Sequence, residues 1–421
     1  MNILVIGSGG REHAIIRCLK KSESCDNLYC IPGNPGIENF AKCLTLDISI
    51  PENIIEFCKL NKIELVVIGP EQPLADGLSD SLRSADLLVF APSKAAAQLE
   101  TSKSFAKKFM QKYNIPTAKF QTFSKNQQKK AVKYVKAHTL PIVLKADGLA
   151  GGKGVIITSD VEEAIITVNN YLNGALGVAS EKIVIEEFMH GVEASVFAIC
   201  DGENFITLAP AQDHKRIGEN NTGKNTGGMG AYAPADIVSN DMLEKIKKQI
   251  IIPTLVGMKK EGMSFIGCLY IGLMLEDKNP KVVEYNVRFG DPEAQVVLSI
   301  FDGNFAKLLY SAASGKLDTK IVNTIAKGTA CCVILASSGY PDKVEVGKEI
   351  TGNISETKNT FVFHSGTKNQ NNKLVTSGGR VLGVTGFGAT LNIAIKNSYD
   401  KVNEINFEGK YFRKDIGKYR E

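Results

Sequence analysis

No two of the nine cysteines form a CxxC pair, and none are spaced as the paired ligands of a zinc site are. An odd number of scattered thiols excludes a disulfide framework and predicts free cysteines in a reducing compartment. No apolar run is long enough to cross a bilayer, so no membrane partner is expected. Blocks of like charge are missing too: 50 Lys and Arg against 45 Asp and Glu leave +5, with the lysines scattered. That balance disfavours nucleic acid and suits small anionic ligands. The opening "MNILVIGSGG" is already strand and glycine turn, so no secretory signal is expected and a cytoplasmic location is. Internal repeats and low-complexity tracts are also absent.

What is present is a 421-residue chain with 43% apolar residues, which predicts about three or four packed units. Short continuous apolar runs at Ile3 to Ile6, 64–70 and 87–92 each end in Gly or Pro. Alternating with helical spacing, they predict an α/β fold that opens on a Rossmann-like, doubly wound parallel sheet. Leu74, Leu78 and Leu82 fall four apart and are expected on one helical face. Ser93 to Asn114 is expected to be one helix, with Phe105 and Phe109 on the same side and Pro116 stopping it. From about 118 to 190 the strands crowd together as an antiparallel flap able to swing. A polar stretch over 211–235 is expected to be a long loop, and a last helix is expected near 390–404.

Three motifs carry chemistry. In "GSGGREHA", Gly7, Gly9 and Gly10 lie between strand and helix, where free amides and the helix dipole favour an anion. Glu12 replaces the third glycine of a dinucleotide fingerprint and no acid closes the second strand, so the loop suits a phosphate better than NAD. The plain alternative is a tight turn with no ligand.

In "KADGLAGGKGVII", Gly148, Gly151, Gly152 and Gly154 let backbone amides approach a phosphate, and Lys153 adds a mobile charge. The spacing does not match a Walker loop, and a strand follows, so this is a β-hairpin flap. Lys145 shares a face with Val143, which places it either at the sheet's end in water or against an anion. The neighbouring glycines favour the anion.

In "KVVEYNVRFGDPEAQ", Glu284, Asn286 and Arg288 alternate along a strand and point to one face. A carboxylate and an amide oxygen about 7 Å apart suit magnesium, which takes few protein oxygens. Arg288 offers a planar fork for a carboxylate or phosphate. The polar stretch adds Asp213, His214, Lys215, Arg216 and Lys224, a group able to receive a charged substrate; a mobile surface excursion is its alternative.

These segments, with "PGNPG", "GPEQPL", "QLETSKSFAK", "IEEF", "QDHKR", "NTGGMGAY" and "HSGT", resemble in order the phosphoribosylamine–glycine ligase (glycinamide ribonucleotide synthetase) family of the ATP-grasp superfamily. The resemblance runs along nearly the whole chain. It implies a Rossmann-like domain over 1–103, an ATP-grasp domain over 104–325 with a mobile lid near 118–190, and a small α/β domain over 326–421. It also implies ATP-driven joining of glycine to 5-phosphoribosylamine through glycyl phosphate, in purine synthesis.

By position, the resemblance assigns ATP to Lys103, Lys145, Gly151, Gly152, Lys153, Gly154, Glu186, Glu187, Phe188 and Glu193. It gives Mg2+, with Mn2+ possible, to Glu284 and Asn286. The sugar phosphate falls to Gly9, Gly10, Asn34 and Gly36, and catalytic contacts with glycine or its intermediate to Asp213, Lys215 and Arg288. The strand before Glu284 reads "GLMLE", with Glu276 its only acid, so a second protein-held metal lacks its usual ligand. The chain is expected to act alone or as a weak homodimer and to carry a single activity. Rival readings are a related ligase with another acceptor, which the 212–232 segment disfavours, and a non-catalytic nucleotide-binding regulator, which would have little need of Glu284 and Asn286 together.

Overall fold

The computed structural model describes residues 1–151 and 154–418. Its first sheet is built from β1 (Asn2–Gly7), β2 (Asn27–Pro32), β3 (Lys42–Cys43), β4 (Leu65–Ile68) and β5 (Val89–Phe90), all parallel, in the order β3-β2-β1-β4-β5. Both faces of β1 are covered, as a near-continuous apolar run requires. Ile3 and Val5 pack with helix α1 (Gly10–Lys20), while Leu4 and Ile6 pack on the other side with helix α2 (Pro51–Leu60).

Two helical expectations need correction. Leu74, Leu78 and Leu82 are all buried, but Gly77, at φ +95°, ends α3 (Glu71–Asp76) and begins α4 (Leu78–Ser84). The 93–114 segment is likewise two helices, α5 (Gln98–Thr101) and α6 (Lys103–Lys112). Ser102 is extended between them and its hydroxyl accepts from the Phe105 amide, so α6 starts afresh with Lys103 as its first residue. Phe105 and Phe109 do stack along that helix.

The flap is a four-stranded antiparallel sheet in the order β6-β9-β7-β8. Its elements are β6 (Phe120–Ser124), helix α7 (Gln128–Ala137), β7 (Ile142–Ala146), β8 (Val155–Thr158), helix α8 (Val161–Leu172) and β9 (Lys182–Glu187). Strand alternation divides its side chains cleanly. Ile142, Leu144, Ile183 and Ile185 form a core of their own with Ala131, Val135, Ala164 and Val168 from the two helices. Val143, Lys145, Val184 and Glu186 take the opposite face, which turns toward the rest of the molecule.

The next sheet holds β10 (Val192–Asp201), β11 (Phe205–Thr207) and, after the polar stretch, β16 (Ile266–Glu276) and β17 (Asn279–Asn286), in the order β11-β10-β16-β17. The polar stretch itself is not one loop. It contains β12 (Gln212–Asp213), β13 (Arg216–Gly218), β14 (Thr222–Asn225) and β15 (Gly230–Ala233). β13 and β14 make a hairpin, while β12 and β15 enter a five-stranded sheet with strands Thr329–Ala336, Arg380–Gly388 and Thr360–His364. The sheet of the C-terminal segment therefore reaches back across residue 325. Helix Glu293–Ile300 packs on both this sheet and α1, and helix Leu391–Glu404 covers the sheet near the chain's end. All nine cysteines are free thiols. Among the described residues no helix is long and apolar enough to cross a membrane.

Because the flap has its own core, damage to that core should stay local. Leu144→Ala is expected to cost about 2–4 kcal/mol there. In hydrogen exchange, amides of β7 and β9 should lose protection while β1 and β4 keep theirs; equal loss in both sheets would contradict a separate core.

Candidate active site

A cavity of roughly 430 Å³ opens between the flap and the two sheets that face it. One wall is the loop joining β7 to β8, through Leu149, Ala150, Gly151 and Gly154, followed by Val155. The opposite wall is the end of β17, through Val283, Glu284, Tyr285 and Asn286, with Arg288 just beyond. Helix α6 supplies Lys103, Ala106, Lys107 and Met110 between them. Asp147 anchors the loop to this helix: its carboxylate accepts from the Ser104 amide at 2.6 Å, and its carbonyl accepts from the Lys103 amide.

Glu186 is the electrostatic centre of this region. It is 1% exposed, and its Oε2 accepts from Lys107 Nζ at 2.8 Å and Lys145 Nζ at 3.0 Å. Burial alone would raise its pKa, but Lys145 and then Lys107 hold it below the usual carboxylate value. Two ammonium groups on one carboxylate leave one positive charge within this group, which the Glu284 carboxylate across the cavity offsets. Burial drives Lys107 down to about 8 despite that carboxylate, and it lowers Lys103 as well. Lys145 also donates to the Val283 carbonyl at 3.2 Å, and Lys107 to Thr117 Oγ1 at 2.7 Å, whose hydroxyl reaches the Val282 carbonyl. Flap, helix α6 and β17 are thereby tied around one carboxylate.

At the end of β17 the pairing with β16 slips by one residue, so that Gly272 faces Glu284 while Leu273 faces Val282. Val283 is the extra residue, and the bulge re-aims the strand end into the cavity. Burial would raise the Glu284 pKa, but Lys215, Lys145 and Lys103 hold it lower and keep the carboxylate charged. Glu276, the acid of the preceding strand, lies at the far end of this hairpin and pairs with Lys281 at 2.6 Å.

Lys215 bridges Glu193 at 3.1 Å and Glu284 at 3.8 Å. Beside it, burial pushes the Asp213 carboxyl up to about 8, with Lys215 opposing and Glu293 and Glu193 adding to the rise. Tyr270 and Glu293 close this side, joined through the Ser195 hydroxyl.

The guanidinium of Arg288 lines the cavity, but its fork is not open. Glu100 from α5 pairs with it at 2.8 Å and Glu71 from α3 at 3.3 Å. Beyond it stand Arg11, whose Nε is buried without a partner, and Arg380, which pairs with Asp291 at 3.2 Å.

The glycine loop after β1 departs from the sequence-based expectation. The Gly9 amide donates at 2.6 Å to the Glu12 carboxylate, which folds back as its own helix cap. The anion that the loop's amides favour is therefore supplied by the chain. Asn34 is equally committed: its amide donates to the Ser8 and His364 carbonyls, and its oxygen accepts from Gly36 and Ile37. A Cβ on Gly36 would meet the His364 ring at 2.4 Å, so that glycine marks close packing. None of Gly9, Gly10, Asn34 and Gly36 lines the cavity. Glu187, Phe188 and Glu193 also lie outside its lining, Glu187 accepting from the Lys119 amide. Gly152 and Lys153 lie outside the described residues.

Three consecutive segments match the phosphoribosylglycinamide synthetase family: its N domain over residues 1–100, its ATP-grasp domain over 101–294 and its C domain over 330–419. The chain belongs to this family. It is 44% identical to a phosphoribosylamine–glycine ligase of Rhizobium meliloti, covering 99% of this chain and 98% of that one. It is 47% identical to a chloroplastic phosphoribosylamine–glycine ligase of Arabidopsis thaliana, over 97% of this chain and 78% of the relative. The crystal structure of the Thermotoga maritima phosphoribosylamine–glycine ligase superposes with a TM-score of 0.87 at 36% identity, covering 99% and 100% of the two chains. A biotin carboxylase domain from Hydrogenobacter thermophilus, at 15% identity, covers 98% of this chain and 91% of its own with a TM-score of 0.73, a likeness of fold. As an ATP-grasp ligase family, it implies use of ATP with a divalent metal.

Membership makes the residues that sequence reasoning passed over informative. Lys107 stands one helical turn from Lys103, a spacing that put both on one face in plain view. Glu71 and Glu100 sit inside recognised segments but gave no sign of being counterions. Arg11, Tyr270, Glu293 and Arg380 converge only through the tertiary fold. For a metal, the donor set that fits is Glu284 with Asn286: one charged carboxylate and one amide oxygen, both partly open to the cavity. Among the described residues no cluster of three or more His, Cys, Asp or Glu could hold an ion alone, so substrate and water would complete its shell.

Asp213 makes stability depend on pH in a definite direction. Its folded-state pKa, about 8, lies above the ordinary 3.8, so between these values the native chain binds a proton the unfolded chain has released. The stability carried by that proton is complete below the lower value and lost as pH rises through the upper one. Asp213→Asn should therefore gain on the parent across that window, by up to about 1.4 kcal/mol per pH unit. Urea melts at a series of pH values check this; parallel profiles for the two proteins would refute it.

Proposed function

We propose that the cavity binds ATP between the 147–154 loop and β17, and uses it to join glycine to 5-phosphoribosylamine, giving glycinamide ribonucleotide, ADP and phosphate. The observation that carries this reading is the meeting of a glycine-rich loop, three lysines and the Glu284 strand around one cavity in a chain of this family. Ala106, Met110 and Val155 offer an apolar slot for adenine, with Glu186 beside it; Glu187 and Phe188, which follow it in the chain, are the hinge positions proposed to face the base. Lys103 and Lys145 meet the phosphates, and Gly151 and Gly154 let the loop close above them.

Glu284 and Asn286 hold the divalent ion, Mg2+ or Mn2+. Bound there, it would supply charge neutralisation at the phosphates as negative charge builds on them. In the first step the glycine carboxylate attacks the γ-phosphorus and ADP leaves. In the second the sugar amine attacks the carbonyl carbon of glycyl phosphate, the carbon–oxygen bond breaks and phosphate departs. Alignment and charge neutralisation do most of this work.

Asp213, its carboxyl raised to about 8 and so mostly protonated near neutral pH, suits giving a proton to the departing phosphate as the amide forms. Lys215 holds Glu193 and Glu284 in place around it, and Arg288, fixed by Glu71 and Glu100, presents its edge to the glycyl group. The sugar phosphate goes to the end lined by Arg11 and Arg380, since the loop amides of Gly9 and the Asn34 side chain are already engaged. A cytoplasmic monomer or weak homodimer acting on these small molecules completes the reading.

Incubation with ATP, Mg2+, glycine and freshly made phosphoribosylamine should release ADP only when both co-substrates are present; ADP release that ignores glycine rejects the proposal. Glu284→Ala should keep the parent's melting temperature while turnover falls about 100-fold or more. Full activity at matched Mg2+ would remove Glu284 from the metal site.

A further inference from the structure

β2 and β3 are parallel neighbours at the edge of the first sheet, and their register sets Cys30 directly opposite Cys43. Adjacent strands lie about 4.8 Å apart, inside the roughly 4.4–6.8 Å that a disulfide spans between Cα atoms. Cys30 Sγ donates to the Gly7 carbonyl at 3.3 Å and Cys43 Sγ lies 3.9 Å from the Ala41 carbonyl, so neither thiol is held by an ion pair. Gly33, which turns the chain after β2 at φ +76°, leaves the space they use: a Cβ there would lie 2.4 Å from Cys43 Sγ and 3.5 Å from Cys30 Cβ. β3 is only two residues long and has no strand on its outer side, so it can shift to let the sulfurs join.

The pair differs from the other thiols. Cys18, Cys58, Cys200, Cys268, Cys331 and Cys332 are buried, and burial raises the pKa of each. Cys25 is partly exposed, yet burial raises it too. Cys43 is partly exposed and shifted the other way, lowered by the neighbouring Cys30 thiol and then by the Asn34 backbone amide. An accessible sulfur with a second thiol on the adjoining strand is the arrangement that peroxide-sensing sites use.

We propose that Cys43 and Cys30 form a reversible dithiol that reacts with hydroperoxides. The Cys43 thiolate attacks the O–O bond, forming an S–O bond and releasing water once the leaving oxygen takes up a proton. The Cys30 sulfur then attacks Cys43, the S–S bond forms, the S–O bond breaks and a second water leaves. In total two thiols and one hydrogen peroxide give one disulfide and two waters, with the peroxide reduced by two electrons. A small thiol such as glutathione reverses the step by exchange. Asn34 pins this loop to the His364 carbonyl, so the chemistry acts where the N-terminal and C-terminal segments meet.

The test is peptide mapping by mass spectrometry of the reduced full chain after stoichiometric hydrogen peroxide and quenching with iodoacetamide. The linked Cys30–Cys43 peptide should be the first product, formed about tenfold faster than oxidation at Cys25, and dithiothreitol should remove it. Cys30→Ser should leave Cys43 as a sulfenic acid trapped by dimedone, and Cys43→Ser should leave Cys30 reduced. Oxidation of Cys25 first, passage of Cys43 to sulfinic acid without the linked peptide, or a parent inert to peroxide would each overturn the proposal. Should Cys30→Ser fail to fold, the parent and Cys43→Ser decide between these outcomes.

Discussion

The Glu186 carboxylate, shared by Lys107 and Lys145, is the constraint on which the rest of the site depends. Placing two ammonium groups and one carboxylate out of water costs more than their mutual attraction returns unless further partners are found. Here they are found on β17, through the Val283 carbonyl for Lys145 and through Thr117 and the Val282 carbonyl for Lys107. The flap is therefore held to the body by polar contacts, while its apolar core is its own. The pair of ammonium groups exceeds its one carboxylate by a single positive charge.

That charge is matched across the cavity by a second arrangement. A β-bulge at Val283 turns Glu284 and Asn286 inward, and three lysines keep Glu284 ionised. Next to it Asp213 is driven the other way by burial, so two carboxylates near one lysine differ in protonation near neutral pH. Separation of this kind lets one acid serve as a charged ligand and the other exchange a proton. Arg288 and Arg380 are each fixed by acids from other segments, which orients them without leaving them free to collapse onto one another.

Much of this was legible in residue order. Period-two spacing put Glu284, Asn286 and Arg288 on one side, and glycines between two apolar runs marked the hairpin loop, because both signals are local. Failures came where a distant group decided the outcome. Gly9 looked like part of an open anion site, but only the fold shows the Glu12 carboxylate turning back onto its amide. The 211–235 segment looked like a loop because its strands are short and set among glycines and charged residues, yet Ala211, Ala231 and Ala233 join the apolar core and the Gln212 amide reaches the Glu193 carbonyl. The split of the 93–114 helix rests on Ser102 acting as a cap, a residue that helix spacing alone passes over.

The account's central claim is that the flap loop and the Glu284 strand close over one nucleotide. Hydrogen exchange with and without MgATP addresses it directly, read on peptides covering 142–158 and 279–288. Joint protection of both on nucleotide addition, at the same half-saturating concentration, is the predicted result. Protection of one segment with the other unchanged would contradict it.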